Sequence, residues 1–310
     1  MGNPKTVVVI GGTGFVGRRI VGLLVRQGYR VTVPTRSLRY AKPLSVLPLV
    51  KVIELNVHDP KELHHLMASE KDCIAVINLV GILHDSPGKP YGRNFDKNHV
   101  TLAKNLIDAM SAHHIKRLLH MSALGADSEG PSMYQRSKGD AEQFVKNSHL
   151  DWTIFRPSVI FGQDDNFINL FKNLIKLAPV MPLAGYHAKF QPVSVNNVAD
   201  VFVRALQLPK TIHQSYDLGG PKVYSLSELV RFAGRMIGKD PVLIPLPYML
   251  GYLQAFLIEK MPGPTLMSRD NVASMLVDNV LTQEGNVIQD IFALDLEPLE
   301  SLLYQSFSQP

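Results

Sequence analysis

The sequence predicts an α/β fold, a doubly wound parallel sheet followed by a smaller C-terminal lobe. Three observations carry that expectation. Short β-branched runs alternate with amphipathic helical patterns over the first two-thirds of the chain, as in parallel strands joined by crossover helices. A glycine-rich turn joins the first such run directly to the first helix. After Pro157 the regularity loosens, and the later segments read as the pieces of a second, smaller core.

Thr6 to Ile10 is a continuous apolar run of strand length, as expected of a strand covered on both faces. A helix is predicted from about Gly14 to Gln27, with Phe15, Ile20, Leu23 and Leu24 at helical spacing. Strands follow at Arg30 to Val33, Val52 to Leu55 and Ile74 to Leu79, then a helix over about Asn98 to His113. Arg117 to Met121 reads as the fifth strand, Ser132 to Asn147 as the next helix, and Thr153 to Arg156 as the sixth strand. Beyond it, Phe167 to Leu177 is a helical segment, and Phe190 to Val195 with Val198 to Leu206 reads as strand then helix. Ser215 to Leu218 is strand-like, and Ser225-Leu226-Ser227-Glu228 has capping-box form before a helix reaching about Ile237. Pro241 to Pro264 is apolar and proline-rich, with Tyr248 to Glu259 helical between its breaks.

A chain of 310 residues that is 45% hydrophobic and 19% charged has the composition of a globular protein. Its net charge of +5 does not call for a nucleic-acid partner, but the distribution is uneven. The first acidic residue is Glu54, preceded by Lys5, Arg18, Arg19, Arg26, Arg30, Arg36, Arg39, Lys42 and Lys51. Such a field suits a phosphorylated ligand. One cysteine, Cys73, excludes an intramolecular disulfide framework and points to the cytoplasm or another reducing compartment. No stretch has the length of apolar sequence that a membrane-spanning helix needs.

Gly11-Gly12-Thr13-Gly14-Phe15-Val16-Gly17 spaces its glycines as G-x-x-G-x-x-G between a strand and a helix. The first glycine permits a tight turn, the second a close approach to a pyrophosphate, and the third tight packing of helix on sheet. The pyrophosphate then meets the unpaired amides at the positive end of the helix. This context predicts a Rossmann-type dinucleotide-binding domain over residues 1–160, with strand and helix returns at about 190–220 and residues 161–310 mainly forming the smaller lobe and tail. At the end of the second strand, where an NAD site places an acid on the ribose 2′-hydroxyl, this chain has Pro34-Thr35-Arg36-Ser37. A guanidinium at Arg36 can bind a 2′-phosphate bidentately, so NADP(H) is expected over NAD(H). Asp59 is placed either to meet the adenine amine or to cap the helix beginning at Pro60.

Tyr134 and Lys138 stand four apart on one helix face, and Ser122 closes the fifth strand twelve residues before the tyrosine. A nearby ammonium lowers the pKa of a phenol, and a serine hydroxyl can bind a substrate oxygen, so the three form a candidate set for proton transfer at an alcohol or carbonyl. Lys138 can also hold the nicotinamide ribose. Ser158, Asn166 and Gln191 fall by position around the expected substrate space. His64-His65 and His113-His114 lack companion ligands at usable spacing, so no metal is expected.

With Asn78-Leu79-Val80-Gly81, Ser122-Ala123 and Arg156-Pro157-Ser158-Val159-Ile160-Phe161-Gly162 added to these motifs, the chain resembles the extended or atypical short-chain dehydrogenase/reductases. Phe190 to Val195 with Asp200 resembles that family's late strand–helix unit, so the resemblance runs to about residue 240. It implies that Val80 and Gly81 line the cofactor and that the backbone at Pro157 passes the nicotinamide. Within that superfamily the likeness is greatest to the NAD(P)H-binding accessory subunits of respiratory complex I and their bacterial relatives. It rests on Asn78 to Leu83, Trp152 to Ser158, Phe161 to Phe167, Ser268 to Asn271 and Leu276 to Val280. The leading expectation is an NADP(H)-dependent reductase that transfers hydride at an alcohol or carbonyl carbon, with Tyr134 as general acid/base. The alternative that the resemblance implies is a non-catalytic nucleotide-binding accessory or assembly factor. A sugar-nucleotide epimerase or dehydratase is the weaker variant, because no second basic cluster in the late lobe marks a diphosphate site. The expected partners are the dinucleotide and a small substrate. Tyr248, Leu250, Leu253, Phe256 and Leu257 form either a lobe core, the favoured expectation, or a face for a protein complex or a membrane surface.

Overall fold

The computed structural model describes residues 4–261 and 266–303. Strand β1 (Thr6–Ile10) is buried at every residue because it lies in the middle of the sheet. In chain order there follow α1 (Phe15–Arg26), β2 (Arg30–Thr35), β3 (Val50–Glu54), α2 (Pro60–Ser69) and β4 (Cys73–Asn78). A helical turn, α3 (Arg93–Phe95), passes through a π-helical segment at Asp96–Thr101 into α4 (Leu102–Ala112). Then come β5 (Arg117–Met121), α5 (Met133–Lys146), β6 (Asp151–Pro157) and β7 (Ile160–Phe161). The later part holds α6 (Asn166–Leu177), β8 (Val180–Ala184), β9 (Lys189–Phe190), β10 (Val193–Ser194), α7 (Val195–Ala205) and β11 (Gln214–Leu218). It closes with β12 (Tyr224–Ser225), α8 (Leu226–Arg235), β13 (Val242–Leu246), α9 (Tyr248–Glu259), α10 (Arg269–Ser274) and α11 (Val287–Asp290).

Seven strands form one sheet in the order β11-β6-β5-β4-β1-β2-β3, every neighbouring pair parallel. Side chains alternate across its two faces. Val7 and Val9 enter a core with Ile20 and Leu24 of α1, Phe202 of α7 and Phe292. Val8 and Ile10 enter the opposite core with Leu63 of α2, Leu102 and Leu106 of α4 and Val145 of α5. This is the doubly wound α/β architecture that the alternation of strand and helix patterns predicts. A third, smaller core joins Phe161, Ile168 and Ile175 of α6, Leu229 and Phe232 of α8 and Leu243 of β13.

Three differences from the sequence reading have physical causes. The helix expected from Asn98 is interrupted by the π-helical segment, an insertion that a helical pattern does not reveal. Pro182 and Pro245 lie in β8 and β13, which pair parallel in a two-stranded sheet whose free edges tolerate proline. The strand expected at Phe190 to Val195 is split by Gln191-Pro192, so that β9 pairs with β12 and β10 with β7. A further expectation is overturned: α9 does not form a lobe core. Only its Gly251 and Ala255 are buried, and its large apolar side chains face outward.

Candidate functional site

The glycine turn connects β1 to α1 as the spacing predicts. Gly11 has φ of 82°, in the left-handed region where a side chain is strained. At Gly17 a Cβ would stand 2.3 Å from the Gly11 carbonyl oxygen and 2.6 Å from Gly12 Cα, so the helix can meet the turn only without a side chain there. Exposed Gly14 is the N-cap of α1, and neither a side-chain cap nor an acid occupies the first turn. The positive end of α1 is therefore left for an anion. Thr13, Phe15 and Val16 are half-buried around it. Phe15 lies against the Gly162 backbone, where a Cβ would stand 2.8 Å from the ring.

The end of β4 lies next to this turn. A Cβ on Gly11 would touch Leu79 and the Val80 nitrogen, both at 3.3 Å, and the Val80 amide donates to Asn78 Oδ1 at 3.2 Å. Gly81 follows, its missing Cβ 3.2 Å from Lys138 Nζ. The structure thus sets Gly11 against Val80, and the next residue, Gly81, against Lys138. Arg36 is exposed just beyond β2. Burial foremost, then the charges of Lys97 and Arg36, hold the His58 imidazole below its ordinary range. No spacing in the sequence links His58, in the β3–α2 turn, to Lys97 of the π segment. Asp59 takes the capping alternative, accepting from the Lys61 amide at 2.9 Å.

Helix α5 begins with the capping box Ser132/Gln135. The Asp270 carboxylate adds acceptors for the Met133 and Tyr134 amides, at 2.6 and 3.1 Å. Tyr134 is half-buried, edge-on to Phe95 and His99 with ring centroids 6.0 and 5.8 Å away. Lys138 is buried and donates to the Met121 carbonyl at 3.2 Å. Burial pushes the Tyr134 phenol up to about 12 and the Lys138 ammonium down to about 8. The phenol is raised by desolvation rather than lowered as expected from the ammonium. Ser122 is buried and its hydroxyl makes no well-formed hydrogen bond, but it lies near enough to Glu142 to favour the charged carboxylate. Glu142, one turn beyond Lys138, is buried and accepts from Arg156 Nε at 2.7 Å, Arg156 Nη2 at 2.5 Å and Lys146 Nζ at 3.0 Å.

A hydrogen-bond chain runs beneath Tyr134. The Ile82 amide donates to His99 Nε2 at 3.1 Å, so the proton on His99 sits at Nδ1 and is given to Ser137 Oγ at 2.8 Å. Ser137 in turn donates to the Tyr134 carbonyl at 2.9 Å. His120 pairs with Asn78 at 3.2 Å, and its Nε2 is buried without a partner. Burial first, then the Lys138 charge, lowers His99 to about 2 and His120 to about 3.

The space outside β6 is crossed by the C-terminal segment. Ser158 donates to the Asn279 carbonyl at 3.0 Å and to its Oδ1 at 2.6 Å, and Asn279 Nδ2 donates to Leu124 O at 3.0 Å. Gln191 Oε1 accepts from the Leu281 amide at 2.9 Å, while its Nε2 donates to Gly220 O at 2.8 Å. Asn166 begins α6 behind its cap, Asp165, and Pro157 is buried at the end of β6. His64 meets Asp108 at 2.9 Å and the His113 ring, a local helix-to-helix contact.

Residues 11–209 match the family model described as NAD(P)H-binding. The chain is 32% identical over 307 residues to the mitochondrial NADH dehydrogenase [ubiquinone] 1 alpha subcomplex subunit 9 of Arabidopsis thaliana, covering 94% of this chain and 73% of that protein. It is 27% identical to the mitochondrial NADH-ubiquinone oxidoreductase 40 kDa subunit of Neurospora crassa, covering 95% of this chain and 76% of that one. Among solved structures, a nucleoside-diphosphate-sugar epimerase from Staphylococcus aureus superposes with a TM-score of 0.74 at 16% identity, covering 96% of this chain and 99% of the other. The Thermus thermophilus UDP-glucose 4-epimerase, solved with NAD, gives 0.64 at 18% identity, with 87% and 99% covered. At such identities the epimerases show the fold alone. The open glycine turn, the bare helix end and the matched family model converge: this chain belongs to the NAD(P)H-binding family.

Proposed function

We propose that this chain holds NADP(H) as a fixed component of a larger protein assembly, in the manner of the complex I subunits it is similar to. The observation that carries this reading is the C-terminal segment laced across the cleft. Asp270 binds the first turn of α5, and Asn279 bridges Ser158 to Leu124 where a substrate of a short-chain reductase is expected. Gly11 to Gly17 would hold the pyrophosphate, Val80, Gly81 and Pro157 would line the nicotinamide half, and Lys138 would bind its ribose. Such a cofactor supplies hydride transfer when it is used catalytically. The raised phenol of Tyr134 disfavours the proton transfer that would accompany it.

Arg36 supports the 2′-phosphorylated form. Arg36→Asp is expected to weaken NADPH about tenfold to a hundredfold while leaving NADH nearly unchanged, as read by fluorescence titration of both. An equal effect on the two nucleotides would remove Arg36 from their discrimination.

A second reading, a reductase, is favoured by the survival of Tyr134 and Lys138 on one helix face. A panel of aldehydes and ketones with NADPH separates the two readings. The expected result is no turnover above background, together with unchanged NADPH affinity in Tyr134→Phe. Turnover that disappears in Tyr134→Phe would overturn the fixed-component reading.

A further inference from the structure

Helix α9 has the reverse of the usual sidedness. Its inward face is made of small residues, with Gly251 so close to Ala184 of β8 that a Cβ would stand 2.5 Å away, and with Ala255 fully buried. Its outward stripe is large and apolar: Met249 is 77% exposed, Leu250 53%, Leu253 52% and Leu257 59%. Their spacing of i, i+1, i+4 and i+8 puts them along one side of the helix. Strand β13 leads straight into this helix and continues the apolar surface, with Val242 59% and Ile244 46% exposed. Contiguous outward apolar surface of this kind marks an interaction site.

The charges at its ends indicate what covers it. Lys260 lies 5.6 Å above the Phe256 ring, and Arg269 lies 5.0 Å from Phe256 and 5.7 Å from Tyr252. Such aromatic and basic pairs keep a cation at the edge of an apolar surface, where a long side chain can reach outward. At the far end of the β8–β13 pair, the ammonium of exposed Lys239 donates to the Lys176 backbone carbonyl at 3.4 Å, which holds a further cation at that end. Of the acids adjacent in sequence to these two lysines, Glu259 is held by Arg269 at 2.8 Å, and Asp240 follows Lys239. The helix is 12 residues long, about 18 Å, which is too short to cross a hydrocarbon layer of about 30 Å. No helix among the described residues is long and apolar enough to span a membrane.

We propose that the outward face of α9 and the adjoining β13 edge dock on an anionic lipid surface. The helix lies in the plane of the bilayer, with Met249, Leu250, Leu253 and Leu257 entering the acyl boundary and Lys239 and Lys260 reaching headgroup phosphates. A single convex ridge of flexible apolar side chains flanked by cations suits a fluid anionic interface better than a partner's rigid groove. This inference stands apart from the use made of the nucleotide, since none of these residues belongs to the glycine turn or to α5.

Flotation of the full chain with extruded vesicles tests it. The chain is expected to float with vesicles of phosphatidylcholine and phosphatidylglycerol at low salt, and much less with phosphatidylcholine alone. The double variant Leu253→Glu/Leu257→Glu is expected to lower the floated fraction about tenfold, and Lys239→Glu/Lys260→Glu to abolish the preference for the anionic vesicles. NADPH titration serves as the folding control, because all four positions are away from the glycine turn, and it is expected to be unchanged. Absence of flotation overturns the proposal, as does flotation that ignores the leucine variant or does not distinguish the two vesicle types. A dimer in sedimentation that the leucine variant dissolves would also overturn it, assigning the face to a second copy of this chain.

Discussion

Gly17→Val is expected to abolish NADPH binding, with a loss of more than a hundredfold, and to destabilise the fold by about 3 kcal/mol. The reason lies in what its Cβ would meet. The Gly11 carbonyl oxygen at 2.3 Å and the Gly12 atoms at 2.6 and 2.7 Å are backbone, which cannot swing aside as a side-chain tip can. Either α1 lifts from the turn or the turn itself deforms, and both displace the amides that face the anion. Gly22, in the same helix, is the internal comparison. A Cβ there meets nothing within 4 Å, so Gly22→Ala is expected to leave binding intact and to stabilise the helix by about 0.5–1 kcal/mol. Titration of NADPH and urea unfolding of both variants measure this contrast. Gly17→Val that still binds with native affinity would show that the close approach is not required.

Acid is expected to produce the second large effect. His99 and His120 are buried as neutral rings with values near 2 and 3, far below the ordinary 6.5. Protons therefore favour the unfolded chain at every pH between those values. The stability these rings contribute is complete above about 6.5 and is lost as pH falls toward their folded values. At pH 5 the loss is about 2 kcal/mol for each histidine, and about 4 kcal/mol for the pair. Lys138 opposes protonation of both rings, and Glu142 favours it at His120. Buried Asp165 and Asp270 and half-buried Asp217 have raised carboxyl values and act in the opposite direction, so the decisive quantity is a difference between variants. Urea unfolding at pH 7 and pH 5 is expected to show that His99→Gln and His120→Gln each remove about 2 kcal/mol of the pH dependence. A slope unchanged in both variants would place the acid sensitivity elsewhere.

Much of the sheet was legible because its strands are short, apolar and separated by clear punctuation. Thr6–Ile10 and Arg117–Met121 run between the limits read from the sequence, as does helix Tyr248–Glu259. The capping box at Ser225 also forms, with Glu228 returning to the Ser225 amide at 2.7 Å. What escaped was set by distance along the chain. Glu142 stands one turn beyond Lys138 and could have been noticed, but its partner Arg156 is on another element. Asn279 meets Ser158 across 121 positions, and no local pattern announces a contact of that kind. For α9 the stripe of large apolar residues was plain, while its direction depended on whether Gly251 or Leu253 met Ala184. Small residues won because they allow the helix to lie close to β8.

The π-helical segment before α4 has a consequence for phase. Counted as an uninterrupted α-helix, Phe95, His99, Leu102, Leu106 and Ala109 fall at intervals of four and three and would share one stripe. One surplus residue advances a helix by about 100°, which turns the earlier part of that stripe relative to the later part. Phe95 and His99 meet the Tyr134 ring on α5, whereas Leu102, Leu106 and Ala109 enter the core shared with α2. A single pattern of apolar positions is thereby shared between two neighbours. Deleting one residue between Asp96 and Thr101 would bring the halves back into step, and the aromatic wall beside Tyr134 would rotate out of place while the α2 contact stayed where it is.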